Sequence, residues 1–220
     1  MVKVKICGIT NLEDALYAAD CGADAIGFIF YPKSPRFIEK TKTKEIISKL
    51  PPFITTVGVF VNESIENIVN TIHECNINIV QLHGDETPDY CSKLPVKTIK
   101  AIRVKNEDSL KQIAEYKIST LLLDAYSEDS FGGAGKIFDW DLAIKAKGYG
   151  RIILSGGLTL DNVREAIEKV KPYGVDVSSG VEEREGKKDR ERVREFIKVV
   201  RGFSLSQITP LIKGGRGKNN

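Results

Sequence analysis

No apolar run in this 220-residue chain approaches the length a helix needs to cross a bilayer. The opening MVKVKICGIT also lacks the apolar stretch of a secretory signal. The expectation is a cytoplasmic protein with no membrane partner. The four cysteines, Cys7, Cys21, Cys75 and Cys91, form no C-x-x-C pair. That counts against a zinc site and leaves four free thiols in a reducing compartment. Charge of one sign is lacking too: 33 Lys and Arg face 30 Asp and Glu, for a net +3. Such a balance gives no reason to expect nucleic acid as a partner.

What is present is an alternation. Eight short apolar runs rich in β-branched residues occur at 4–6, 25–30, 55–61, 79–82, 97–102, 120–123, 151–154 and 175–177. They read as buried parallel strands. Helical stripes lie between them. Ile65, Ile68, Val69 and Ile72 fall at i, i+3, i+4, i+7, as do Val163, Ala166, Ile167 and Val170, and Val193, Phe196, Ile197 and Val200. Thr10 and Glu13 fit a capping box, with Thr10 as N-cap of the first helix. A short helix is expected between Pro88 and Leu94. Strand–helix alternation implies right-handed parallel crossovers, and eight units imply one closed (β/α)8 barrel. An open doubly wound sheet is the alternative. The barrel is expected over 1–203. Residues 204–220 read as a polar tail that could cap the barrel through Ile208, Leu211 and Ile212.

In such a barrel the reactive groups sit at the C-terminal strand ends. Alternation along the first strand sets Lys5 and Cys7 on one face and Val4 and Ile6 on the other. The apolar pair should face the helices, so Cys7 should point into the barrel mouth. A buried Cys is often only a small core hydrophobe, but this one ends a strand. Asp124 ends the sixth strand, where a buried carboxylate needs a purpose or a partner. Ser155-Gly156-Gly157 follows the seventh strand and Ser178-Ser179-Gly180 the eighth. Loops seven and eight are the usual phosphate site of this fold, and small residues let backbone N–H groups approach a phosphate. Tight turns alone would also use these glycines.

Arg36, in a loop stiffened by Pro32 and Pro35, could present its fork to a carboxylate or simply be solvated. His83 ends the fourth strand and should line the mouth, with acid or base work the less favoured role. His73 should lie on the surface. Lys5 and Asp176 occupy the first and eighth strands, neighbours in a closed barrel, and should form a buried ion pair. The glycine-rich stretch Phe131-Gly132-Gly133-Ala134-Gly135-Lys136 is followed by Ile137, not Ser or Thr, so it is not a P-loop. A lid fits it better.

A resemblance adds to this reading. Lys5-Ile6-Cys7-Gly8-Ile9-Thr10, Ser34-Pro35-Arg36, Val57-Gly58-Val59-Phe60-Val61 and Gln81-Leu82-His83-Gly84-Asp85-Glu86 occur in that order. Leu122-Leu123-Asp124, Leu154-Ser155-Gly156-Gly157-Leu158 and Asp176-Val177-Ser178-Ser179-Gly180-Val181-Glu182 follow. Together they resemble the phosphoribosylanthranilate isomerases from residue 3 to about 200. The tail from Ser204 extends past the usual family end. The resemblance implies an Amadori rearrangement of a small phosphosugar substrate in tryptophan biosynthesis. It implies Cys7 as general base, Asp124 as general acid and Arg36 as the holder of the anthranilate carboxylate. Gly156, Gly157, Ser178, Ser179 and Gly180 would hold the phosphate, and His83 would line the substrate site. It implies no metal and no organic cofactor; the chain is expected to be a monomer or a homodimer. Three competing readings stand beside it. Another phosphosugar barrel enzyme is the first, either a phosphosugar lyase or an isomerase of histidine biosynthesis, which would normally carry a carboxylate where Cys7 stands. A silent phosphoribosyl-binding barrel would bind without turnover. An interaction scaffold would work through the tail.

Overall fold

The computed structural model describes residues 1–116, 118–125 and 139–202. Eight parallel strands close into a barrel in the order β1 to β8. They are β1 (Lys3–Ile6), β2 (Ala25–Ile29), β3 (Thr55–Phe60), β4 (Ile79–Leu82), β5 (Lys97–Val104), β6 (Thr120–Ala125), β7 (Arg151–Leu154) and β8 (Gly174–Val177). The closing seam joins β1 to β8 in the register Lys3↔Gly174, Val4↔Val175, Lys5↔Asp176, Ile6↔Val177. Helices follow as α1 (Leu12–Asp20), α2 (Lys40–Ile47), α3 (Ile65–Cys75), α4 (Pro88–Ser92), α5 (Glu107–Ile113), α6 (Trp140–Ala146), α7 (Val163–Val170) and α8 (Arg190–Arg201). The expected barrel is therefore present, and the open sheet is excluded. A two-stranded hairpin, β9 (Glu182–Arg184) with β10 (Lys187–Lys188), is inserted between β8 and α8.

Alternation along each strand divides the apolar side chains into two cores. The larger lies between sheet and helices. It takes Val4, Ile6, Ile26, Phe28, Val80 and Leu82 from the strands and the stripes of α7 and α8, Val163 to Val170 and Val193 to Val200, from the helices. The smaller fills the barrel axis with Ile99, Ala101, Leu122 and Ile153. It is offset toward β5, β6 and β7. On the β1 and β8 side the axis is filled instead by Lys5 and Asp176, both buried.

Two local expectations change. The N-cap of α1 is Asn11, whose side chain accepts from the Asp14 N–H. Thr10 is unavailable for capping because its hydroxyl donates to the Gly186 carbonyl in the β9–β10 turn. β6 runs through Asp124 to Ala125, because its ladder with β5 continues over Arg103↔Asp124. Asp124 thus lies inside the strand, one residue before its end. The short helix expected after Pro88 is α4, with Thr87 as its cap. The proposed lid at 131–136 and the tail at 204–220 lie outside the described residues.

Candidate active site

The eight strand ends bring distant residues to one floor. Cys7, immediately after β1, is held by its own N–H donating to the Val177 carbonyl. It is 5% exposed. Below it, Lys5 Nζ donates to Asp176 Oδ1 at 2.8 Å. Burial alone would lower the Lys5 pKa, but the Asp176 carboxylate, with help from Cys7, reverses this and holds the ammonium well above its ordinary value. Burial pushes the Cys7 thiol upward, and the Lys5 charge opposes this without cancelling it. The resting sulfur is therefore a thiol near neutral pH, not the activated thiolate a base at rest would be.

Gly27 on β2 makes this arrangement possible. A Cβ there would come within 2.8 Å of Cys7 Sγ and 3.0 Å of Lys5 Nζ. Only glycine leaves room for a charged side chain and a thiol side by side in the barrel.

On the opposite wall, Gln81 and His83 share the inward face of β4 and its end. Gln81 Nε2 lies 3.1 Å from His83 Nδ1, and His83 Nε2 lies 3.1 Å from Asp124 Oδ2. The His83 main chain is tied to β3, its N–H donating to the Phe60 carbonyl at 2.8 Å. Gln81, His83 and Asp124 are all buried. His73, by contrast, is exposed on α3.

Arg36 has a partner the sequence did not announce. Its fork is already engaged: Nε donates to both oxygens of Glu182 at 2.9 and 3.1 Å, and Nη2 donates to Oε2 at 2.7 Å. Glu182 also accepts from Lys188 Nζ at 2.8 Å. Burial would raise the Glu182 pKa, but the Arg36 and Lys188 cations hold it below the usual carboxylate range. Burial lowers the Lys188 pKa despite its carboxylate partner. Glu182 and Lys188 come from the β9–β10 hairpin, and no reading of the sequence gave either a role.

Loops seven and eight meet beside this floor. Gly156 and Gly157 both take positive φ, 77° and 66°. Asn162 clamps the turn, its Nδ2 donating to the Gly157 carbonyl and its Oδ1 accepting from the Thr159 N–H. A Cβ on Gly180 would overlap the Leu158 carbonyl, so the two loops can touch only with glycine there. Ser178 accepts at its carbonyl from Lys188 Nζ at 3.2 Å.

Cys7, Arg36, His83, Asp124 and Ser178 line one cavity of about 80 Å³, together with Gln81. Gly156, Gly157, Ser179 and Gly180 stand outside that lining, on the adjoining loops. A larger cavity of about 570 Å³ opens at the other end of the barrel, against the first residues of the strands. The acid, thiol and imidazole groups converge on the smaller one, at the end where barrels of this kind do chemistry. Among the described residues no group of three or more His, Cys, Asp or Glu is placed to hold a metal ion. No described helix is long and apolar enough to cross a membrane.

Residues 4–199 match the family described as N-(5'phosphoribosyl)anthranilate (PRA) isomerase. A relative from Geotalea uraniireducens, N-(5'-phosphoribosyl)anthranilate isomerase, is 56% identical over 203 residues, 92% of this chain and 100% of its own. The crystal structure of phosphoribosyl anthranilate isomerase from Thermotoga maritima superposes with a TM-score of 0.86 at 47% identity, covering 92% of this chain and all of that one. A phosphoribosyl anthranilate isomerase in complex with reduced 1-(o-carboxyphenylamino)-1-deoxyribulose 5-phosphate gives 0.83 at 45% identity, with the same coverage. This chain belongs to the phosphoribosylanthranilate isomerase family.

Proposed function

We propose that this chain catalyses the Amadori rearrangement of N-(5-phosphoribosyl)anthranilate to 1-(2-carboxyphenylamino)-1-deoxyribulose 5-phosphate, in the cytoplasm, by general acid–base catalysis. The observation that carries the reading is the placing of Cys7 and Asp124 on one cavity floor beside two small-residue loops. Asp124 gives a proton to the furanose ring oxygen. The C1–O bond breaks with its electron pair going to that oxygen, and the amine nitrogen's lone pair forms the C=N bond of a Schiff base. Cys7 then takes the C2 proton as a thiolate. The C–H electrons form the C1=C2 bond of an enolamine while the C=N pair returns to nitrogen. Tautomerisation gives the ketone. Every bond change takes place within the substrate and is driven by proton transfers to and from it, so the chemistry calls for no redox partner, metal or organic cofactor. Acid and base each supply typically about 10²–10⁴-fold.

The thiolate must form in the complex, since burial keeps the resting sulfur protonated. Lys5 is the cation that stabilises it there. Arg36 has Nε and Nη2 on Glu182, so a substrate carboxylate would be met by Nη1 and the second Nη2 hydrogen. Glu182 thereby orients the guanidinium instead of competing for it. The phosphate would lie over Gly156, Gly157, Ser178, Ser179 and Gly180, where small residues let backbone N–H groups approach it. The enclosed floor of about 80 Å³ would hold the reacting carbons, and the rest of the substrate would extend across the loops.

The test generates the substrate in situ and follows the loss of its fluorescence. Rapid loss with wild type and a deficit of at least about 10²-fold for Cys7→Ala support the reading. No loss with folded wild-type protein sinks it and favours a silent binding barrel.

A further inference from the structure

Gln81 is buried at 1% exposure and sits on the cavity wall, but it has no part in the acid–base pair. Its amide Nε2 lies 3.1 Å from His83 Nδ1, and an amide nitrogen can only donate. Its acceptor, Oε1, has no hydrogen-bond partner among the described residues. The imidazole is the one hydrogen-bond partner of its side chain among the described residues.

A neutral imidazole carries one proton. If Nδ1 accepts from Gln81, the proton must be on Nε2, and Nε2 lies 3.1 Å from Asp124 Oδ2. In this tautomer His83 donates to the carboxyl group. In the other, the Nε2 lone pair would face Oδ2 and take up the very proton that Asp124 should give to substrate. We infer that Gln81 is a positioning residue that locks His83 in the Nε2–H tautomer, so that His83 stabilises the carboxylate formed when Asp124 acts as acid. This rests on the proposed role of Asp124.

The gain is differential. While Asp124 is protonated, its Oδ2 accepts a hydrogen bond between neutral groups. When the other oxygen gives its proton to the ring oxygen, the carboxylate becomes anionic and the bond from Nε2–H becomes charge-assisted. An interaction that strengthens as the proton leaves lowers the barrier rather than merely tightening binding. The lock also works without movement. The His83 main chain is fixed by its bond to Phe60, and Gln81 lies within β4.

The chain has two histidines, which makes the tautomer directly readable. The full chain labelled with ¹⁵N at histidine gives two imidazole patterns, and His73→Gln, at an exposed position, identifies the one from His83. At neutral pH the wild-type pattern should be that of Nε2–H. Gln81→Leu should give a tautomer mixture and lower kcat at least about 10-fold, short of the ~10²–10⁴-fold loss expected on removing the acid itself, with KM nearly unchanged. Gln81→Glu, whose carboxylate accepts from Nδ1–H, should reverse the tautomer and lower kcat further. An Nδ1–H pattern in the wild type overturns the inference, and that spectrum needs no variant to fold. So does a Gln81→Leu protein with wild-type kcat, or one that loses kcat with the tautomer unchanged. Full activity in Asp124→Asn would instead remove the acid assignment, leaving the spectrum to decide the tautomer on its own.

Discussion

Lys5 and Asp176 are register partners across the seam that closes the barrel, and their side chains meet at 2.8 Å inside it. The pair replaces apolar packing on that side of the axis. Both groups are almost fully buried, so removing one leaves the other charge without compensation. Lys5→Met should lower the unfolding free energy by about 3–5 kcal/mol, measured by urea titration. The sign of the pH effect follows from the raised Lys5 pKa. Its stabilisation is fully present below the ordinary value of 10.5 and is lost only as pH rises through the higher folded value. Stability attributable to this pair should therefore be flat through neutrality and fall only in strong alkali. A loss on moving from about pH 6 to 9 that disappears in Lys5→Met would contradict it.

The raised Cys7 pKa gives a second prediction, on rate. If the thiolate is the base, kcat/KM should rise with pH through neutrality and level off above the ordinary thiol value of 9.0. Lys5 is the largest influence pulling the thiol pKa down. In a folded Lys5→Met protein the alkaline limb should therefore move to higher pH. A pH–rate profile of both proteins checks this. An unmoved limb would separate Cys7 from Lys5 or from the base role.

Much of this arrangement was legible in local pattern. Period-two alternation placed Lys5 and Cys7 inside the barrel, the adjacency of the first and eighth strands paired Lys5 with Asp176, and β4 and β7 have the bounds their apolar runs predicted. What escaped depended on distant partners. Thr10 looked like a cap because its local spacing was right, but the Gly186 carbonyl, 176 positions away, takes its hydroxyl. Arg36 looked open to a ligand because Glu182 is 146 positions away and comes from a hairpin that no apolar period announces. Gln81 was within reach, since it is a polar residue at the inward parity of β4, between Ile79 and His83. Parity alone gives Gln81 no role, because its effect runs through the imidazole of His83.

The Glu182 carboxylate joins two cations, which predicts a split effect. Glu182→Gln keeps the shape but removes the charge that orients Arg36. KM for substrate should rise by roughly 10-fold or more, while kcat at saturation changes much less, because the guanidinium would bind and not transfer protons. Stability should change with pH as well. The folded Glu182 pKa lies below the ordinary 4.5, so its stabilisation is present above that value and is lost as pH falls through the folded one. Glu182→Gln should therefore flatten the acid limb of the stability curve below about pH 4.5. A drop in kcat with KM unchanged would count against the orienting role.

Gly27 offers the sharpest steric test. A methyl group there meets Cys7 Sγ at 2.8 Å and Lys5 Nζ at 3.0 Å, closer than van der Waals contact allows. Both neighbours are side-chain ends, so the barrel can absorb the methyl only by moving the thiol, the ammonium or both. Overpacking of this kind costs about 1–3 kcal/mol. Moving Lys5 stretches its bond to Asp176, and moving the thiol displaces the base from the cavity floor. Gly27→Ala should therefore fold with modestly lower stability but lose activity out of proportion, with kcat falling at least about 10-fold. Gly148, where a methyl meets nothing within 4 Å, supplies the control. Gly148→Ala should leave kcat unchanged. Equal kcat in the two variants would mean that the close packing around Cys7 has no bearing on the chemistry.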